Sequence, residues 1–176
     1  DNNIYCVDAG DHTVKKFDKE GNIQLTIGAP GKSSGRMSGI PFCHPTHAAV
    51  SSKTGDIFVS DGYSNAVVHK FDPNGKLISS WGRSGTDPGE FNTVHNIAID
   101  NDEWVYIADR ENHRIQVFDS NKKLLKLVEK KFDIKVQNKL NFDQIDCTLI
   151  CTPPNSHIKL AKLALESNSN VFIEKP

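Results

Sequence analysis

No stretch of the chain approaches the roughly 18 consecutive apolar residues that a membrane-spanning helix needs, so no membrane span is expected. Net charge is equally short. The 21 Lys and Arg against 22 Asp and Glu leave −1, with no basic surplus to attract a nucleic acid or an anionic membrane surface. Cysteine is sparse: Cys6, Cys43, Cys147 and Cys151 form no CxxC pair. That spacing argues against a disulfide framework and leaves buried free thiols as the expectation. Neither an initiator methionine nor a signal peptide opens the sequence, which starts in mid-pattern at Asp1. A fragment of a longer protein is therefore expected, and the missing signal says nothing about secretion.

What is present is ordinary globular composition, 37% hydrophobic and 24% charged over 176 residues, enough for one domain or two small ones. Three segments superimpose. Ile4-Tyr-Cys-Val-Asp8 precedes Val14-Lys-Lys-Phe-Asp18, Ile57-Phe-Val-Ser-Asp61 precedes Val68-His-Lys-Phe-Asp72, and Val105-Tyr-Ile-Ala-Asp109 precedes Ile115-Gln-Val-Phe-Asp119. The landmark aspartates Asp8, Asp61 and Asp109 recur about every fifty residues, a period of propeller blades or a comparable array. Short alternating runs of β-branched and aromatic residues, bounded by Gly, Asn and Asp, read as strands joined by turns. In the second repeat they fall at 47–51, 56–60, 67–71 and 77–81. The first repeat lacks its opening strand and the third loses the pattern after Asp119, which predicts about two and a half blades of a ring that needs four to eight. Gly31-Lys-Ser33 lacks the preceding glycine and the strand–loop–helix context of a phosphate loop, and is read as an inter-blade loop.

The turn glycines Gly21 and Gly75 are matched by Lys122 in the third repeat. The run that follows, 122–132, places Leu124 or Leu125, Val128 and Phe132 on one helical face. Helix is favoured there over a fourth blade strand. A short strand at 134–137, a buried-type strand at 147–152, a helix at 158–166 and a strand at 171–173 follow. Strand, helix, strand with apolar strands predicts a parallel sheet. The expected fold class is mixed: a partial all-β propeller of four-stranded antiparallel blades over 1–121, then a partial α/β Rossmann-like parallel sheet over 122–176.

In an antiparallel blade the first strand begins at the face where the second ends. His95 should therefore share a rim with Tyr63 and Arg110, which lie in the turns after Asp61 and Asp109. Imidazole suits a metal, phenol proton transfer, and guanidinium a carboxylate. Each also has a plainer reading: His95 as a hydrogen-bonding residue, Tyr63 as a turn cap, and Arg110 paired with a carboxylate of an adjacent blade. His47, His69 and His113 lack metal spacing and read as structural.

Phe42-Cys-His-Pro-Thr46, Val59-Ser-Asp-Gly-Tyr-Ser-Asn65, Val94-His-Asn-Ile-Ala98 and Ala108-Asp-Arg-Glu-Asn112 resemble the NHL-repeat propeller of peptidyl-α-hydroxyglycine α-amidating lyases. The resemblance covers 1–121. It implies a zinc ion held by three histidines, and N-dealkylation of a peptidyl-hydroxyglycine to a peptide amide and glyoxylate. It casts His95 as one zinc ligand, Tyr63 as the catalytic tyrosine and Arg110 as a substrate-carboxylate arginine. It also places the other two zinc histidines and a second substrate arginine outside 1–121. Ser64 stands where animal members carry a cysteine paired with the equivalent of Cys43, so that disulfide is not expected.

The tail carries a second resemblance. Ile145-Asp-Cys-Thr-Leu-Ile-Cys-Thr-Pro-Pro-Asn-Ser-His157 and Val171-Phe-Ile-Glu-Lys-Pro176 are similar to the NAD(P)-binding domain of the Gfo/Idh/MocA oxidoreductases. It implies NAD(P) contacts from Thr152, Pro153, Pro154 and Glu174, with Lys175 catalytic. The physical position fits, because ligands bind at the carboxyl ends of parallel strands. The Gly-rich first turn that seats a pyrophosphate is absent, however, and affinity for a dinucleotide should be very low. Three functions follow as expectations. The first is an amidating-lyase-like propeller fragment joined to part of an oxidoreductase domain and inactive by itself, its parents acting on peptide or small-molecule substrates. The others are a non-enzymatic NHL scaffold and an NAD(P)-dependent oxidoreductase.

Overall fold

The computed structural model describes residues 3–129, 147–150 and 154–173. They fall into two compact units, Asp1–Lys131 and Phe132–Pro176.

The first unit is three antiparallel meanders. Blade 1 is β1 (Ile4–Asp8), β2 (Thr13–Phe17) and β3 (Ile23–Gly28) in that spatial order. Blade 2 is β4 (His47–Val50), β5 (Ile57–Asp61), β6 (Val67–Phe71) and β7 (Leu77–Trp81). Blade 3 is β8 (Val94–Ile99), β9 (Val105–Asp109), β10 (Arg114–Phe118) and β11 (Leu124–Glu129). Strand β1 pairs with β2 in the register that β5 keeps with β6 and β9 with β10, so blade 1 is the same unit without an opening strand.

Alternation puts the core between blades. Ile57 and Val59 of β5 face blade 1, packing with Val14, Ile27, Phe42 and Phe71. Phe58, one residue out of phase, faces blade 3 among Phe91, Val94, Ile97, Val105, Ile107 and Phe118. A period of two sends successive side chains to opposite faces, and here both faces are core, so every residue of β5 is buried. Each fully buried Phe or Ile contributes roughly 1.5–3 kcal/mol.

The Phe-Asp pair that ends each third strand has a structural reason. The register shifts by a bulge at Lys16/Phe17, at Lys70/Phe71 and at Val117/Phe118. The aspartate that follows then caps the turn. Asp72 Oδ1 accepts from the Asn74 and Lys76 amides, both at 2.9 Å, and Asp119 Oδ1 from those of Asn121 and Lys123, at 3.0 and 2.8 Å.

This turn corrects the expected helix over 122–132. Lys122 takes φ +73°, the left-handed conformation that Gly75 takes at +82°, and donates its N–H to the Asp119 carbonyl as Gly75 does to that of Asp72. The turn is thus completed without its glycine. Strand β11 then pairs with β10, with Leu124 against the core and Leu125 40% exposed. The helical spacing of the leucines is overridden by the open edge of β10, so the blade pattern runs through Glu129 rather than ending near 121.

In the second unit β12 (Cys147–Ile150) and β13 (Asn170–Ile173) pair in parallel, and α1 (Pro154–Glu166) lies between them in sequence. This is one strand–helix–strand unit; among the described residues no larger parallel sheet is formed. The helix begins four residues before the expected 158. The strand expected at 134–137 lies outside the described residues. Among the described residues no helix is long and apolar enough to cross a membrane.

Candidate functional site

The landmark aspartates are the fixed points of the rim. Asp61 is fully buried and accepts the Cys43 amide at 2.8 Å and Asn65 Nδ2 at 2.8 Å, with His69 Nε2 at 3.4 Å. Asp109, also fully buried, accepts the Asn92 amide at 2.7 Å, Asn112 Nδ2 at 2.9 Å, Arg114 Nε at 2.7 Å and Gln116 Nε2 at 3.0 Å. Each aspartate thus fastens the loop that enters its own blade, just after a buried phenylalanine, Phe42 or Phe91. Sequence reading singled out the aspartates but not their straps. The recurrence of a phenylalanine about nineteen residues before each landmark aspartate, Phe42 before Asp61 and Phe91 before Asp109, was the available signal.

On these supports the rim brings two of the three expected residues together. Tyr63 Oη lies 3.1 Å from His95 Nε2, and the rings meet edge to face with centroids 5.7 Å apart. Tyr63 follows β5 of blade 2 and His95 sits in β8 of blade 3, so the contact crosses a blade boundary. Tyr63 is 51% exposed, which leaves the pair open to a ligand. His95 also occupies a bulge. Val94 pairs with Asp109 and Asn96 with Ala108, leaving His95 as the extra residue between them. Bulges are a recurrent way of re-aiming one side chain near a binding site.

Arg110 opens a single 3-10 turn, Arg110–Asn112, and its Nε bonds Glu111 Oε1 at 2.8 Å. The carboxylate partner is thus its sequence neighbour rather than a group on an adjacent blade. Both side chains are about half exposed, where such pairs are worth only about 0–1 kcal/mol and exchange readily.

The remaining histidines take structural places. His69 is fully buried and lies 2.7 Å from Ser80 Oγ; His47 Nδ1 lies 3.1 Å from the Ile97 carbonyl oxygen; His113 closes the 3-10 turn at φ +52°. In the inter-blade loop, the Gly31 amide donates to Asp11 Oδ1 at 2.8 Å, so a carboxylate sits where a phosphate cradle would need an anion. Of the thiols, Cys43 is free and buried with Ser33 Oγ at 3.1 Å, while Cys6 is free but exposed, because it lies on a strand with one open face. The buried-thiol expectation holds for the first and not the second. Thr152, Pro153, Glu174 and Lys175 lie outside the described residues, and Pro154 is the first residue of α1.

Zinc can be tested against the donors present. A catalytic zinc normally takes three protein ligands. Among the described residues no group of three His, Cys, Asp or Glu converges, and His95 Nε2 faces a phenol. These residues do not by themselves fit a zinc centre.

Several known proteins are similar to this chain. The rat peptidylglycine alpha-amidating monooxygenase is 38% identical over 134 residues, which is 70% of this chain and 13% of the rat protein. A probable peptidyl-alpha-hydroxyglycine alpha-amidating lyase of Caenorhabditis elegans is 38% identical over 127 residues, 67% of this chain and 35% of the nematode protein. The chain therefore spans about an eighth of the first relative's length and a third of the second's. Among solved structures, virginiamycin B lyase from Staphylococcus aureus superposes with a TM-score of 0.54 over 74% of this chain and 38% of its own, at 11% identity, a likeness of fold. The model of the family described as "6-bladed beta-propeller" matches residues 48–150, across the boundary expected near 121 and through β12. The chain belongs to the six-bladed β-propeller family.

Proposed function

We propose that the Tyr63–His95 rim is part of a site that receives a peptidyl-α-hydroxyglycine and cleaves its carbinol C–N bond, giving a peptide amide and glyoxylate. The observation that carries the reading is the 3.1 Å contact of phenol with imidazole across the blade boundary. The amidating relatives support it from outside. Cleavage is redox-neutral: the carbinol oxygen loses a proton and forms the aldehyde C=O, the C–N bond breaks, and the amide nitrogen gains a proton. In this reading Tyr63 Oη takes the carbinol proton while passing its own to His95 Nε2, and the pair returns one proton to the leaving nitrogen. Arg110 exchanges Glu111 for the substrate carboxylate, a charge-assisted contact of about 1.5–3 kcal/mol.

The described residues supply only part of such a site, so turnover by the 176-residue chain is expected to be undetectable, and binding is the test. Titration with an N-acyl peptidyl-α-hydroxyglycine should move the Tyr63 and His95 ring resonances in NMR. Arg110→Ala should weaken binding about tenfold or more, as loss of a charge-assisted contact requires. A peptide ending in a plain amide should not bind. Resonances that stay still at saturating peptide would sink the reading and leave a non-enzymatic scaffold. A His95 ring resonance that moves as far with the peptide in Tyr63→Phe as in the unsubstituted chain would overturn the roles given to the pair. The NAD(P) reading rests on the Thr152-Pro-Pro154 and Glu174-Lys175 motifs with one strand–helix–strand unit, and no change in NADH fluorescence is expected on mixing with the chain.

A further inference from the structure

Two features that the repeat pattern does not explain converge on one peptide unit, that of Val94, which precedes His95. The Thr46 hydroxyl donates to the Val94 carbonyl oxygen at 2.7 Å, across the boundary between blades 2 and 3. Thr46 Oγ1 itself lies 2.8 Å from Ser60 Oγ and 3.1 Å from the Ser60 carbonyl oxygen, so the clamp is anchored on β5 as well. Gly62 approaches the same backbone closely. A Cβ at Gly62 would lie 1.8 Å from the Val94 carbonyl oxygen and 2.7 Å from its nitrogen. Real Cβ atoms do not come that close to backbone, so only glycine admits Val94 here. Gly62 is bonded to Tyr63 and Val94 to His95.

We infer that Thr46 and Gly62 are positioning residues for the Tyr63–His95 pair: Thr46 pins the base of the His95 bulge, and Gly62 lets Tyr63 close onto it. Neither touches a reacting atom. A bulge re-aims the side chain it carries, and contacts that hold the adjoining peptide hold that aim. In blade 2 the strand counterpart of His95 is Thr46, the residue just before the one paired with the position preceding the landmark aspartate. There the register is even and the side chain is spent on the next blade. The same repeat position therefore carries the rim residue in one blade and the clamp for it in its neighbour. The inference deepens the proposed rim and rests on that reading for its functional meaning, but its test does not require substrate.

The probe is the His95 ring-nitrogen chemical shift, and the signal is its displacement on Tyr63→Phe, which removes the hydroxyl but keeps the ring. That displacement is expected in the wild-type chain. In a Thr46→Val background, of equal shape but without the donor, it should fall by at least about half, while blade 1 amide resonances stay in place. Thr46→Ser keeps a hydroxyl and should restore it. Gly62→Ala, an independent arm, should abolish it by displacing Val94. An undiminished displacement in Thr46→Val would overturn the clamp, as would Thr46→Ser behaving like Thr46→Val. An intact displacement in Gly62→Ala would overturn the approach role. Should Thr46→Val fail to fold, Thr46→Ala takes its place in the same comparison with Thr46→Ser. Failure of peptide binding with these outcomes intact would strike the proposed function and leave the positioning inference standing.

Discussion

Blades 2 and 3 are the same four-stranded meander, and they part at two places. The opening strand of blade 2 pairs evenly with its neighbour, His47 to Ser60 through Val50 to Ile57, while that of blade 3 is interrupted at His95. After the landmark aspartate, blade 2 continues Gly62-Tyr63-Ser64-Asn65, whereas blade 3 makes a short 3-10 turn from Arg110 to Asn112. All three rim residues lie in those deviations. The repeat supplies the scaffold, and the departures from it carry the residues of the proposed site.

The aspartates give the sharpest way to break that comparison. In blade 2, Asp61 serves backbone and amide donors and approaches His69. In blade 3, Asp109 faces Arg114, whose side chain is 5% exposed and also donates to the Thr86, Asp87 and Glu90 carbonyls. Asp109→Ala leaves a buried guanidinium without its counter-charge and is expected to cost about 3–5 kcal/mol. Asp61→Ala leaves unmet N–H donors and should cost about 1–3 kcal/mol. Denaturant unfolding of both variants checks the order; equal losses would mean that the ion pair contributes nothing beyond its hydrogen bonds.

Much of this arrangement was legible in the residues. Alternation located the strands of blade 2 to within about one residue, because both faces of β5 are core and no solvent face blurs the pattern. Antiparallel logic put Tyr63 and His95 on one rim. The bulge was not legible, since no glycine or break marks Val94-His95-Asn96 and register depends on the partner strand. Arg110 finding its carboxylate in Glu111 was not legible either, because adjacent side chains meet only when a turn folds them together. The third blade's turn failed to declare itself for a simpler reason: Lys122 holds a conformation usually signalled by glycine.

That turn offers a reciprocal test of smaller size. Gly75 and Lys122 occupy the same place at φ +82° and +73°. A left-handed conformation costs a residue with a side chain about 1–2 kcal/mol, partly offset by the extra freedom glycine has when unfolded. Lys122→Gly should therefore stabilise by about 0.5–1 kcal/mol. Gly75→Ala should destabilise by about 1–2 kcal/mol, since its new Cβ would also lie 3.0 Å from Leu25 Cδ1 of blade 1. Thermal unfolding of the two single variants should give opposite signs. If Lys122→Gly destabilises, the Lys122 side chain contributes a contact that offsets its backbone strain.

The smallest effect expected is acid fraying of capped turns. The backbone N–H of Asn22 holds the Asp18 carboxyl below its ordinary range, and that of Trp104 does the same for Asp100 in the turn joining β8 to β9. A carboxyl whose folded pKa is depressed contributes its full share of stability above its unfolded value, about 4 for aspartate, and loses it as pH falls through the folded value. Both turns should therefore be intact at neutral pH and loosen only below about pH 4. The Tyr106 hydroxyl, which donates to Asp100 Oδ2 at 2.8 Å, should lose that bond in the same window. Amide exchange at Asp102 and Trp104, followed from pH 6 to pH 3 and corrected for intrinsic rates, reads the loss directly. In Asp100→Asn the same amides should lose protection already at pH 6 and show no further step on acidification. A step that persists in that variant would assign the acid response to another group and detach it from the blade 3 hairpin.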